Sequence, residues 1–215
     1  MQEHRKELGI NMKILNLYAG IGGNRKLWGD HDITAVEFDP KIASIYQDFW
    51  PEDKVIVADA HKYLEEHYQE YDFIWSSPPC PSHSRIRNEA GVGSGQNKAI
   101  FPDMKLYEEI IFLKHFFKGK WCVENVISYY KPLILPQKAF NHYFWTNYLI
   151  PSSVNISRGH FGTIDDLQKR KDFDLSKYSD IDKIKILRNC VEPEVGEQIL
   201  AYAINEVKTQ GQLFS

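Results

Sequence analysis

Residues 13–23 read KILNLYAGIGG. The first six, Lys13–Tyr18, form a short apolar run. Glycines follow at 20, 22 and 23. An apolar run of this length that breaks into glycine reads as a buried strand entering a tight turn, because glycine turns sharply and lets backbone approach a ligand closely. Asn24–Trp28 then opens a helix. The dinucleotide pattern needs a third small residue at position 25, where Arg25 stands. No lysine–hydroxyl pair follows at P-loop spacing either. A nicotinamide or flavin dinucleotide is disfavoured, and a ligand with an adenosine but no pyrophosphate is left. A tight turn with no ligand is the plainer alternative.

The same alternation continues outward. Further strands are expected at Ile33–Phe38, Lys54–Ala58, Tyr71–Ser76 and Lys120–Glu124, with helices over Lys41–Phe49 (entered through Pro40), His61–His67 and Met104–Phe117. Residues 82–98 hold three glycines, three serines and no hydrophobic period, and read as a mobile loop. Pro193–Lys208 reads as a last amphipathic helix. Five strand–helix units predict an α/β fold with a mostly parallel sheet and helices on both faces, which binds ligands beyond the carboxyl ends of its strands.

The strand ends carry the chemistry. Glu37 closes the second strand, placed to accept from both ribose hydroxyls, with Phe38 beside it to pack on an adenine face. Asp39 reads better as the N-cap of the following helix. Asp59, after the third strand, is either an acceptor for an adenine amino group or another cap. After the fourth strand comes Ser76-Ser77-Pro78-Pro79-Cys80-Pro81. Its prolines fix φ and remove donors, so Cys80 is held in stiff, non-helical backbone. A nucleophilic cysteine needs thiolate character, for which His83, Arg85 and Arg87 are the nearby cations in sequence. Glu124 ends the fifth strand. A carboxylate there is costly to bury charged, which suits a general acid.

Composition sets bounds. The chain has 215 residues, 43% hydrophobic and 26% charged, with net charge −3 and 13% aromatic residues. That is globular, not disordered, and not basic overall, so nucleic-acid binding requires a local positive face. No apolar run approaches roughly 18 residues, so no transmembrane helix is expected, and the polar start does not resemble a secretory signal. Three cysteines (Cys80, Cys122, Cys190) without a CxxC pattern argue against a zinc site and fit a reducing, cytoplasmic compartment.

Taken in order, the motifs resemble those of the cytosine-5 DNA methyltransferases. NLYAGIGG (16–23) is similar to their cofactor loop, VEFD (36–39) to the ribose motif, and VADA (57–60) to the adenine motif. SSPPCPSHS (76–84) resembles the nucleophile loop, ENV (124–126) the glutamate motif, and RNCVEPEVGEQI (188–199) the last motif. The resemblance implies a Rossmann-like methyltransferase that uses S-adenosylmethionine, with Cys80 the nucleophile and Glu124 the acid facing the base. It implies that Tyr18, Gly20, Gly22, Glu37, Phe38, Asp59, Pro78, Asn189 and Val191 line the cofactor. Arg85, Arg87 and Arg158 would meet phosphates of double-stranded DNA around a flipped cytosine.

There are departures. Only one arginine, Arg158, stands where the family has an arginine pair, and Cys190 and Glu192 replace small and proline residues. Residues 127–187 are short for a target-recognition region. The expected organisation is an extension over 1–11, a catalytic core over 12–129 plus 188–208, and the remaining strands with a reduced recognition region over 130–187. An RNA cytosine-5 methyltransferase and a subunit that needs a recognition partner are the alternatives. A restriction nuclease is the companion that a prokaryotic or phage-type member of this family implies.

Overall fold

A computed structural model describes residues 11–151 and 162–213, with side chains of the final helix described through residue 205. Residues 1–10 of the expected extension, and Arg158, lie outside the described residues.

One seven-stranded sheet organises the chain. Its strands are β1 (Lys13–Leu17), β2 (Asp32–Glu37), β3 (Lys54–Val57), β4 (Phe73–Ser76), β5 (Lys120–Val126), β6 (Gln137–Ala139) and β7 (His142–Thr146). The order is β3-β2-β1-β4-β5-β7-β6. All neighbouring pairs are parallel except those made by β7 with β5 and β6. The helices are α1 (Pro40–Phe49), α2 (Ala60–His67), α3 (Lys105–Phe116), α4 (Ile164–Lys171), α5 (Lys183–Asn189) and α6 (Pro193–Leu213). This is the Rossmann-like, mostly parallel architecture expected from the sequence. Strand order reverses between β1 and β4, and such a switch point opens a crevice at the strand carboxyl ends.

Both sheet faces are covered, which explains the continuous apolar strands. Successive side chains alternate between faces. Ile14, Phe73, Trp75, Cys122 and Phe144 pack with Val195, Ile199 and Ala203 of α6. Leu15, Ile74, Trp121 and Val123 pack with Leu64 of α2 and Leu106, Ile110 and Leu113 of α3. Burying each large side chain contributes about 1.5–3 kcal/mol.

Two expectations change. The helix expected from Asn24 is a single 3-10 turn, Asn24–Leu27. It sits so close to α6 that a Cβ on Gly196 would fall 2.1 Å from the Asn24 carbonyl oxygen. The expected loop at 82–98 contains a short helix, Arg87–Val92, with a wide turn closed by Gly93 N–H on the Asn88 carbonyl at 3.1 Å. The serines that read as loop formers tie it down: Ser84 Oγ accepts from Arg87 N–H (3.2 Å) and Ser94 Oγ donates to the Ala90 carbonyl (2.5 Å).

Candidate active site

The carboxyl ends of β1, β2, β4 and β5 converge on one cavity of about 1020 Å³, which the segment from Asp180 to Glu192 also borders. Tyr18, Gly20, Glu37, Phe38, Asp59, Pro78, Cys80, Glu124, Asn189 and Val191 all line it.

The glycine loop is held by the next strand. Glu37 accepts from Gly20 N–H (2.9 Å) with one carboxylate oxygen and from Asp39 N–H (3.0 Å) with the other. Each oxygen keeps a lone pair for a further donor. Gly20 has φ +56°, and a Cβ there would meet nothing within 4 Å. Glycine leaves that open space to the cavity and relieves the strain. Phe38 is 74% exposed, an apolar ring presented at the rim. Gly22 does not line the cavity. Its side-chain direction points into the rings of Trp50 and Tyr46, so it serves packing.

Asp39 caps α1 by accepting from Lys41 N–H (2.8 Å). Asp59 does the same for α2, accepting from His61 N–H (2.9 Å) and Lys62 N–H (3.3 Å). Its other oxygen lies 3.7 Å from Lys105 Nζ. Burial pushes the Asp59 carboxyl up, but these amides and the lysine outweigh it, and the net direction is down. Capping is thus a task Asp59 already performs at the cavity edge.

A buried carboxylate that the sequence did not reveal lies behind the loop. Glu109 of α3 is fully buried. It accepts from Tyr18 Oη (2.5 Å) and Ser76 Oγ (2.5 Å), and pairs with His61 Nδ1 (3.0 Å). Tyr18 itself holds left-handed backbone, φ 55°. One carboxylate therefore joins the ends of β1 and β4 to α2 and α3. The Glu109 hydrogen bond raises the His61 pKa against the opposing effect of burial.

The proline loop is pinned from both sides. Asn125, 1% exposed, donates through Nδ2 to the Pro78 carbonyl (2.9 Å). Trp75 Nε1 donates to Ser77 Oγ (2.7 Å). The Cys80 carbonyl accepts from His83 N–H (2.9 Å) and Ser84 N–H (3.0 Å). Cys80 is half-buried. Burial, and then the charge of Glu124, push its thiol up to about 11. The expected activation by nearby cations is not present. Arg85 faces Glu89 (3.8 Å), Arg87 donates to the Lys98 carbonyl (2.9 Å), and buried His83 pairs with Tyr130 Oη (2.6 Å). Arg85 and Arg87 lie outside the cavity wall, on the segment that follows the loop.

Glu124 is 8% exposed. His142 of β7, not expected as a site residue from the sequence, brings Nε2 to 3.6 Å from Glu124 Oε1. At the opposite end, Lys171 is 2% exposed. It donates to the Cys190 carbonyl and to Glu192 Oε1 (2.9 Å), fixing the turn that carries Asn189 and Val191. Cys190 and Glu192, the departures in the last motif, are thereby held by one buried ammonium. The signal for Lys171 is weak in sequence because it lies in a basic run.

A family model described as C-5 cytosine-specific DNA methylase matches residues 12–126. No curated protein matches the chain. Among solved structures, a DNMT2 mutant of Spodoptera frugiperda is 25% identical over 53% of this chain and 35% of its own, with a TM-score of 0.37. A SAM-dependent methyltransferase of Agrobacterium tumefaciens is 16% identical over 60% and 45%, TM-score 0.38. A hypothetical protein of Thermus thermophilus is 15% identical over 67% and 80%, TM-score 0.40. The chain thus spans under half the length of the first two.

Proposed function

The chain belongs to the C-5 cytosine-specific DNA methylase family, with S-adenosylmethionine as its cofactor, and from that premise we propose that it methylates C5 of cytosine in double-stranded DNA through a covalent adduct of Cys80 at C6. The observation that carries this reading is that Cys80 and Glu124 border one cavity together with Gly20, Glu37 and Phe38.

The residues fit the cofactor. Glu37 has acceptor capacity left for a pair of ribose hydroxyls, Phe38 offers an apolar face, and Gly20 leaves room beside the loop. Asp59, Tyr18, Pro78, Asn189 and Val191 complete that wall. When bound, S-adenosylmethionine supplies an electrophilic methyl group. C5 of cytosine is a poor nucleophile until C6 is attacked. Cys80 Sγ adds to C6, and Glu124 donates its proton to N3, so the ring becomes electron-rich at C5. Once C5 carries the methyl group, water takes the C5 proton and the sulfur leaves, which restores the ring. Asn125 holds the loop so that Sγ stays where the base must enter. A base in a duplex must leave the stack to reach this depth, which costs a few kcal/mol. Arg85, Arg87 and Arg158 meet the flanking phosphates. Residues 12–129 with 188–208 act as the catalytic core, and 130–187 carry the reduced recognition region.

The purified chain should form a band resistant to denaturation with duplex DNA that contains 5-fluorocytosine, and Cys80→Ala should abolish it while cofactor binding persists. Parallel transfer of a tritiated methyl group to DNA and RNA identifies the polymer. Transfer to RNA alone would replace DNA as the substrate, and activity only with an added protein would establish a recognition partner.

A further inference from the structure

His142 opens β7 directly after a two-residue turn. Both turn residues, Phe140 and Asn141, have left-handed backbone, with φ 50° and 62°. That pair of positive angles suits the twist of a tight hairpin but strains a phenylalanine. Burial of Phe140 at 3% exposure holds it there. In this conformation the Phe140 carbonyl lies 3.1 Å from His142 Nδ1. A carbonyl oxygen only accepts, so Nδ1 carries a hydrogen, and this contact fixes the ring with Nε2 turned towards β5.

That nitrogen faces a carboxyl group. β5 and β7 are antiparallel, with Val126 opposite His142 and Phe144 opposite Glu124. His142 and Glu124 are therefore diagonal neighbours on one sheet face. Nε2 and Glu124 Oε1 are 3.6 Å apart, and both residues border the cavity that holds Cys80. That separation is longer than a direct hydrogen bond, yet close enough for the ring to limit where the carboxyl group can turn. Facing Glu124 besides His142 are Cys80, from the proline loop, and Cys122, from its own strand.

We propose that His142 is a positioning residue whose ring holds the Glu124 carboxyl group in place to donate as Cys80 adds to the target ring. The proposal rests on the cytosine C5 reaction proposed above. In the step, the S–C6 bond forms while the thiol proton passes to water. The C5=C6 pair moves to C4–C5, and the C4=N3 pair moves to N3, which takes the proton from Glu124. Once C5 has bonded the methyl carbon with the C4–C5 pair and N3 has re-formed C4=N3 and returned its proton to Glu124, water takes the C5 proton, and the freed pair re-forms C5=C6 as the S–C6 bond breaks.

The test is single-turnover adduct formation with 5-fluorocytosine duplex, read on denaturing gels, beside cofactor affinity by calorimetry and thermal melting. His142→Asn retains a donor for the Phe140 carbonyl but has no atom at Nε2. His142→Gln places a flexible amide near Glu124 in place of the fixed ring. Both should form adduct at least about tenfold more slowly than wild type, with cofactor affinity within about twofold, and a changed pH profile. In a Glu124→Gln background, His142→Asn should cost nothing further. Wild-type rates in His142→Asn, additive losses in the double variant, or a matching loss of cofactor affinity would each overturn the assignment. No adduct from wild type would instead sink the reaction on which it stands.

Discussion

Asn125 Nδ2 donates to the Pro78 carbonyl across 2.9 Å, and this bond links the end of β5 to the loop that carries Cys80. The two segments are 47 residues apart in sequence. Both ends of the bond are buried, so its loss leaves an unsatisfied group as well as a slack loop. Asn125→Ala should lower stability by about 1–3 kcal/mol. It should also reduce adduct formation more than cofactor affinity. Urea unfolding and calorimetry separate the two effects, and equal losses in both would contradict a role in placing Cys80.

The Cys80 thiol is held up to about 11 by burial and by Glu124. Alkylation by iodoacetamide follows the thiolate fraction. Labelling of Cys80, read by peptide mass spectrometry, should be slow near neutrality and rise about tenfold per pH unit towards that value. Glu124→Gln should move the profile to lower pH. The raised folded-state value also sets a sign for stability: the thiol favours the fold below the ordinary 9.0, and this contribution is lost as pH climbs from there to about 11. Cys122 and Cys190, both buried, should stay unlabelled until unfolding.

Glu109 gathers Tyr18, Ser76 and His61 behind the cofactor wall. Glu109→Ala leaves buried Ser76 and half-buried Tyr18 and His61 without their acceptor and should cost about 1–3 kcal/mol. It should weaken cofactor binding about tenfold by releasing Tyr18 from its left-handed conformation. The His61–Glu109 pair raises the histidine, so its contribution is complete below the ordinary histidine value of 6.5 and is lost as pH rises through the folded-state value. The stability gap between wild type and Glu109→Ala should therefore be wider at about pH 5.5 than at about pH 8. A gap that is flat with pH would remove His61 from the network.

Gly196→Ala tests the packing of α6. Its Cβ would fall 2.1 Å from the Asn24 carbonyl oxygen and 2.5 Å from the Asn24 Cα, both backbone atoms. Trp28 Nε1, which donates to the Gly196 carbonyl at 3.0 Å, would shift with it. Overpacking of this kind costs about 1–3 kcal/mol. A thermal midpoint unchanged from wild type would show that the contact is loose.

Local sequence was informative where physics is local. Apolar runs marked five of the strands, because strands buried on both faces need no polar alternation. Three prolines stiffened the backbone around Cys80 whatever it packed against. Asp39 and Asp59 announced helix starts, although only the structure showed that capping already engages Asp59. The segment after Cys80 misled, because serine and glycine were read as loop formers, while the serine hydroxyls in fact close a short helix.

The sequence by itself determined the parallel sheet, the rigid cysteine loop and the order of strand-end groups, since each follows from neighbours a few residues apart. The tertiary structure alone decided which of those groups meet. Glu109 acquires its three partners from the turn after β1, from β4 and from α2, His142 reaches Glu124 through strand pairing, and Lys171 closes over the turn at Cys190. Such contacts depend on register and on the packing of helices onto the sheet, and the free energy of burying a charge or a donor is fixed by the partner that the fold brings to it.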